Sequence, residues 1–167
     1  MSERANSMNF KTADLCDEFE GSVGVAEPLL RDYGGNTSFS GSIATVKVFE
    51  DNVLVREALE KDGQGWVLVV DGGGSTRCAL VGDRLAQLVY ENGWVGIIVD
   101  GCIRESDEIS RIPVGVKARH AVPKKSAKRG IGDRDVPVRF AGLTFTPGHY
   151  LNADPDGIVV ADRDLLA

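Results

Sequence analysis

Two apolar runs, each ending in an aspartate followed by glycine, do most to limit the folds open to this chain. Val67-Leu68-Val69-Val70 leads into Asp71-Gly72-Gly73-Gly74, and Val95-Gly96-Ile97-Ile98-Val99 leads into Asp100-Gly101. Such runs, bounded by small residues, read as core strands. Between them the periodicity predicts a short helix. It starts at Val81-Gly82-Asp83-Arg84-Leu85, turns Leu85, Leu88 and Val89 inward, and stops at Gly93 just past Asn92. Glycine and then aspartate at that start leave backbone N–H groups free to face an anion. Arg104 and Glu105 follow the second turn. An amide cradle, a guanidinium and two carboxylates near strand ends suit a metal-bound 2-oxo acid better than a plain structural turn.

The remaining chain reads as scaffold. Residues 1–9 carry no periodicity and are expected to be a mobile lead, with residues 10–167 forming one domain. Thr12 is placed to cap a first helix through Leu15 and Phe19, and Gly21 to Gly35 reads as loop. From Ser38 to Phe49, Ala44, Val46 and Val48 alternate with Thr45, Lys47 and Phe49, as in a half-buried strand. Asp51-Asn52 can cap a helix from Val53 to Lys61 that turns Leu54, Ala58 and Leu59 inward. Val114 to Ala118 is another apolar run. Val136 to Phe140 and Leu143 to Phe145 flank Ala141-Gly142 as a hairpin would. Asn152 to Gly157 reads as turn, Ile158-Val159-Val160 as strand, and an acidic tail starts at Asp162. Many short strands with few helices predict a mixed α/β fold.

Charge and cysteine content exclude several functions. A formal net charge of −6 argues against nucleic-acid binding through a broad surface, which would have to be basic. Cys16, Cys78 and Cys102 are widely spaced without a C-x-x-C pair, so neither a disulfide framework nor a zinc knuckle is expected. No run approaches the roughly 18 apolar residues of a spanning helix, and the polar start lacks a signal peptide's apolar centre. A soluble, cytoplasmic protein without membrane contact is the expectation.

Each candidate site has a plainer counterpart. Asp71-Gly72-Gly73-Gly74-Ser75 resembles a phosphate loop but lacks its Lys-Ser/Thr ending, so a tight turn is the simpler reading. His120 and His149 have no metal-ligand spacing. Lys124, Lys125, Lys128 and Arg129 form one basic cluster, read as a solvated loop. Asp83 could serve only the helix dipole, and Arg104 with Glu105 could be a surface ion pair.

Taken together the motifs carry a family resemblance. Thr12-Ala13-Asp14-Leu15-Cys16-Asp17, Glu27-Pro28-Leu29, Thr45-Val46-Lys47 and Phe49-Glu50-Asp51-Asn52 precede the Val67 to Ser75 stretch. Asp100-Gly101-Cys102-Ile103-Arg104, Gly130-Ile131-Gly132 and Tyr150-Leu151-Asn152-Ala153-Asp154 follow it. In this order, from Thr12 to Val160, the chain resembles the RraA-like family, which includes a regulator of ribonuclease activity and the 4-hydroxy-4-methyl-2-oxoglutarate aldolases.

That resemblance implies a compact α/β sandwich of the swivelling β/β/α type, assembled as a homotrimer. It also implies a lyase that cleaves a small 2-oxo acid to pyruvate and decarboxylates oxaloacetate, with Mg²⁺ or Mn²⁺ as cofactor. Gly82, Asp83 and Arg104 match the aldolase pattern. Carried over residue by residue, Arg104 and Asp83 are catalytic, Gly82, Asp83, Arg84, Leu85 and Arg104 bind substrate, and Glu105 is the metal ligand. Glu105 stands where the family usually has aspartate, one methylene shorter. Longer aldolases add an acidic group from a C-terminal extension of a neighbouring subunit, which is not expected in a chain ending at Ala167. The alternative the resemblance implies is a non-enzymatic regulator that binds a ribonuclease or its associated helicase.

Overall fold

The computed structural model describes residues 9–167, so the expected lead over 1–9 falls, except for Asn9, outside the described residues. In chain order the elements are α1 (Thr12–Glu18), β1 (Gly24–Val25), β2 (Arg31–Asp32), β3 (Phe39–Lys47), α2 (Val53–Leu59), β4 (Val67–Asp71), β5 (Ala79–Val81) and α3 (Asp83–Glu91). Then come β6 (Gly96–Ile103), α4 (Ser106–Ile109), β7 (Gly115–Ala121), β8 (Asp133–Arg134), β9 (Val138–Phe140), β10 (Leu143–Phe145), β11 (Tyr150–Asp154) and β12 (Gly157–Ala161).

The two apolar runs become β4 and β6, paired in parallel at the centre of a mixed sheet ordered β1-β12-β11-β3-β4-β6-β7-β2. Every residue of both strands is buried, which explains why neither run alternates with polar residues. Their side chains point alternately into two cores. Leu68, Val70, Ile97 and Val99 join a cluster with Leu54, Val55, Leu85 and Val89 from α2 and α3. Val67, Val69 and Ile98 face Phe140, Phe145, Leu151 and Ile158 from the C-terminal strands. Each such aliphatic side chain contributes about 1.5–3 kcal/mol by leaving water. Helices thus cover one face and strands the other, the β/β/α sandwich that the resemblance implied.

One step in the chain path positions the site. At the end of β4 the glycine run turns back on itself, and β5 then adds to the far end of β6 in parallel, Ala79 beside Cys102. The turn is closed from within. Gly73 N–H donates to Asp71 Oδ1 at 2.9 Å, while Gly72 and Gly74 N–H donate to the Asp100 carbonyl at 3.1 and 3.0 Å. A Cβ on Gly72 would lie 2.7 Å from that same carbonyl oxygen, so only glycine fits there. The structural-turn reading of this run therefore holds, and no phosphate cradle remains.

Several local expectations are corrected. Thr12 does not cap its helix with its own side chain: the Asp154 carboxylate, from β11, receives both the Thr12 N–H at 2.8 Å and the Thr12 hydroxyl at 2.7 Å. The stretch from Asn152 is accordingly strand as far as Asp154, and only Pro155-Asp156 turns. The loop from Gly21 to Gly35 contains β1 and β2, each only two residues long. Helix α2 ends at Leu59 rather than Lys61; it buries Val55 besides Leu54 and Leu59, and Ala58 packs against the same core partly buried. The tail after Asp162 is not wholly solvated, since Leu165 packs with Leu15 and Ala161. Among the described residues no helix is long and apolar enough to cross a membrane.

Candidate active site at the ends of β5 and β6

Parallel pairing brings the ends of β5 and β6 side by side, and each strand then enters a helix. The Arg104 N–H donates to the Val81 carbonyl at 2.9 Å and fixes Gly82-Asp83 against Arg104-Glu105. Helix α3 is held by Leu85, Ala86 and Val89, all buried, so its first turn has a fixed direction. The first carbonyl to receive an intrahelical bond is that of Gly82, from Ala86 N–H at 3.0 Å. Of the amides expected to form a cradle, Asp83 N–H donates to Glu105 Oε1 at 3.1 Å. Those of Arg84 and Leu85 have no acceptor among the described residues, the usual condition of a helix N-terminus that can receive an anion.

Glu105 has the most constrained backbone of the group. It sits at the N-cap of α4 with φ 59° and ψ 45°, a left-handed conformation that costs a residue with a long side chain about 1–2 kcal/mol. Its carboxylate reaches across to α3 because Gly82 has no side chain: a Cβ there would lie 2.5 Å from Glu105 Oε1. The backbone of Gly82 is extended, with φ −115° and ψ −168°, so a side chain there would not strain the chain but would push the flexible end of Glu105 away from α3. Arg104 Nε lies 3.9 Å from Glu105 Oε1 with both side chains about two-fifths exposed, a pair worth about 0–1 kcal/mol. Arg104 Nη1 also donates to the Pro123 carbonyl, but at 3.5 Å, so most of the guanidinium's donors stay open to a ligand. The Asp83 carboxylate has no partner among the described residues.

All six residues expected from the sequence, Gly82, Asp83, Arg84, Leu85, Arg104 and Glu105, line one cleft of about 400 Å³. Sequence reasoning missed its opposite wall, built from Asn52, Arg56, Lys125, Ser126 and Lys128. Two of the four cations read as a solvated loop thus face the candidate site. The loop is pinned there by Ala79 N–H donating to the Lys124 carbonyl at 2.8 Å and by a parallel bridge of Asp51 with Ala127. The cleft is lined by five basic side chains, Arg56, Arg84, Arg104, Lys125 and Lys128, against only Asp83 and Glu105. On a chain of net charge −6, this local excess is an electrostatic trap for an anion.

Other chemistries find less here. His120 and His149 do not line the cleft. Burial pushes the Cys78 and Cys102 thiols up, the wrong direction for a nucleophilic thiolate. Among the described residues no three His, Cys, Asp or Glu side chains cluster as a full metal cage would require. The donor set still fits Mg²⁺ or Mn²⁺, because hard cations of this kind are commonly held by one or two carboxylates, with water and substrate oxygens completing the sphere. Glu105 and Asp83 supply such oxygens at the mouth of an open cleft.

A family model described as RraA-like, Aldolase/RraA, matches residues 12–160. A protein of Dechloromonas aromatica provisionally named 4-hydroxy-4-methyl-2-oxoglutarate aldolase is 56% identical over 162 residues, covering 95% of this chain and 99% of its own. A protein of Aromatoleum aromaticum with the same provisional name is 58% identical over 159 residues, covering 95% and 100%. Among solved structures, one from Geobacillus kaustophilus, named as an S-adenosylmethionine:2-dimethylmenaquinone methyltransferase, matches with a TM-score of 0.92. It is 57% identical, covering 94% of this chain and 98% of its own. The RNA-processing inhibitor RraA from Thermus thermophilis matches with a TM-score of 0.90 at 43% identity, covering 93% and 94%. With the family model spanning residues 12–160 and relatives more than half identical over almost the whole chain, this protein belongs to the RraA-like family.

Proposed function

We propose that the cleft cleaves 4-hydroxy-4-methyl-2-oxoglutarate to two molecules of pyruvate, and that it also decarboxylates oxaloacetate. The observation that carries this reading is one basic cleft in which two free helix amides, a guanidinium and two carboxylates converge. The provisional aldolase name shared by relatives more than half identical supports it. In this reading the substrate's 2-oxo acid end lies at α3, its carboxylate receiving the Arg84 and Leu85 N–H groups. The second carboxylate lies toward Arg56, Lys125 and Lys128.

Cleavage breaks the C3–C4 bond. The C4 hydroxyl loses its proton to a water oriented by the Asp83 carboxylate, and C4 leaves as the ketone of one pyruvate. The electron pair passes to C3 and the 2-oxo oxygen, and C3 then takes a proton to give the second pyruvate. Arg104 faces the oxygen on which negative charge develops, and its planar fork donates two hydrogen bonds there. Glu105, with Asp83 behind it, would hold Mg²⁺ or Mn²⁺, which when bound supplies Lewis-acid polarisation of the 2-oxo carbonyl. The chain acts as a homotrimer, the assembly its family resemblance implies; light scattering giving a monomer mass at micromolar protein would contradict this.

The test is pyruvate release coupled to lactate dehydrogenase, with each substrate, in added Mg²⁺ and in chelator. Release that needs the cation supports the reading, and no release from either substrate refutes it. A second reading, a regulator that binds and inhibits an RNA-degrading enzyme or its helicase, is favoured by the 43% identity to the RNA-processing inhibitor RraA. Inhibition of a ribonuclease E type enzyme that persists in Arg104→Lys would support that role independently of the cleft.

A further inference from the structure

Asp51 is buried, 4% exposed, and its carboxylate receives four backbone N–H groups from two distant segments. One is Val53 at 3.1 Å, at the start of α2. The other three are consecutive in the basic loop: Arg129 at 2.8 Å, Gly130 at 3.3 Å and Ile131 at 3.4 Å. A helix start needs only one such acceptor. Three successive amides cupped around one carboxylate amount to a built anion nest whose anion is part of the chain itself. Nothing in the proposed chemistry uses Asp51, which does not line the cleft at α3.

The residues beside Asp51 extend the same tie. Ala127 N–H donates to the Glu50 carbonyl at 2.9 Å. Asn52 Nδ2 donates to the Leu80 carbonyl at 3.1 Å, and Asn52 Oδ1 accepts from Lys128 Nζ at 3.3 Å. Residues 50–52 therefore join the loop that carries Lys125 and Lys128 to β5, which leads into Gly82 and Asp83. Lys125 and Arg56 have no ionic partner among the described residues, so no carboxylate described there is paired with this wall.

We infer that Asp51 is a positioning residue for the basic wall: by clamping the 129–131 amides it holds Lys125 and Lys128 across the cleft from Arg104, and so sets the affinity for the far carboxylate of a dicarboxylic 2-oxo acid. This rests on the aldolase reading for the identity of the ligand, but the clamp itself can be measured separately. A ligand with only the 2-oxo acid end, such as pyruvate, needs α3 and Arg104 but not the wall.

The experiment compares the wild type with Asp51→Asn, whose amide adds a donor against the loop's own N–H groups. Loss of charge-assisted hydrogen bonds should raise KM for 4-hydroxy-4-methyl-2-oxoglutarate about tenfold while kcat falls less than about threefold. The dependence of C3 proton exchange on pyruvate concentration, followed by NMR, should stay within about twofold, because pyruvate does not reach the wall. Amide hydrogen exchange over residues 127–131 should quicken about tenfold. If Asp51→Asn folds poorly, the exposed double variant Lys125→Gln/Lys128→Gln should give the same rise in KM with unchanged amide exchange.

Equal KM changes for both ligands, or a lower melting temperature with KM unchanged, would overturn the positioning role. So would a double-lysine variant with wild-type KM. A wild type with neither cleavage nor proton exchange refutes the aldolase reading instead, and unchanged amide exchange in Asp51→Asn refutes the clamp whatever the activity.

Discussion

Strands β4 and β6 carry nearly the same sequence, an apolar run followed by aspartate and glycine, but β4 turns at it whereas β6, against the turn expected at Asp100-Gly101, continues to Ile103, and the two ends come to opposite uses. At the end of β4 the polar groups are satisfied within the chain. Gly72, Gly73 and Gly74 N–H all have acceptors, and Asp100 Oδ1 is paired with Arg119 Nε at 2.5 Å. At the end of β6, three residues further on, Arg104 makes only two long contacts, with Glu105 at 3.9 Å and with the Pro123 carbonyl at 3.5 Å. The Arg84 and Leu85 N–H groups and the Asp83 carboxylate beside it have no partner among the described residues. Glycine marks both places and distinguishes neither. What separates a turn from a candidate site is whether the polar groups that converge there are already bonded to one another. By the same criterion the glycine run offers no open amide to a nucleotide or a methyl donor, although one structural relative is named as a methyltransferase.

This contrast predicts that substitutions at the two strand ends separate activity from stability. The largest effect is expected at Arg104. Arg104→Lys keeps the charge but loses the planar fork, and kcat for pyruvate release should fall about a hundredfold. Its half-exposed side chain should leave urea stability within about 0.5 kcal/mol of wild type. Unchanged turnover would erase the distinction between the two ends. Gly72→Ala should behave in reverse. The new Cβ meets the Asp100 carbonyl and Leu80 at 2.7 Å, so unfolding free energy should drop by about 1–3 kcal/mol, while the folded fraction keeps its KM. A Gly72→Ala protein as stable as wild type would mean that the turn is not closed as described.

Acid should produce a smaller effect. Burial pushes the Asp51 carboxyl up, but the N–H donors from Val53, Arg129, Gly130 and Ile131 outweigh it and hold the group below its ordinary value. A depressed folded pKa means stability that is complete above the unfolded pKa of about 3.9 and lost as pH falls through the lower folded value. The urea midpoints of wild type and Asp51→Asn should therefore differ at pH 7 and converge below about pH 4. A constant gap across that range would show that the carboxylate's charge is irrelevant to the clamp.

How far the sequence carried the reading follows from the range of each interaction. Strands β4 and β6, helix α3 and the β9–β10 hairpin were legible because periodicity and small-residue turns act within a few positions. That the six residues around Gly82 and Arg104 lie together in one cleft was legible as well, since two strand ends in one sheet confine where their loops can lie. Thr12 was misread as a cap because its partner Asp154 is 142 positions away. The basic loop is exposed, as expected, but its place beside the cleft was not legible for the same reason: its anchor Asp51 is 78 to 80 positions distant, and nothing in a run of lysines states which surface they face. Arg56 has no local signal at all, being one more charged residue on the exposed side of a helix.

Glu105 is where sequence and geometry together make the sharpest claim. The family resemblance implies aspartate at its position, it occupies a left-handed backbone conformation that aspartate tolerates better, and its longer arm bonds an α3 amide. The most direct test is a Mn²⁺ titration of pyruvate release for the wild type, Glu105→Gln and Glu105→Asp. If Glu105 is the ligand, Glu105→Gln should need at least about tenfold more Mn²⁺, since a neutral amide oxygen holds a divalent cation far less well than a carboxylate. Glu105→Asp should match or exceed the wild type, because it relieves the backbone and frees the Asp83 N–H for substrate. Three coincident curves would contradict the account and leave Glu105 as a surface ion pair beside Arg104.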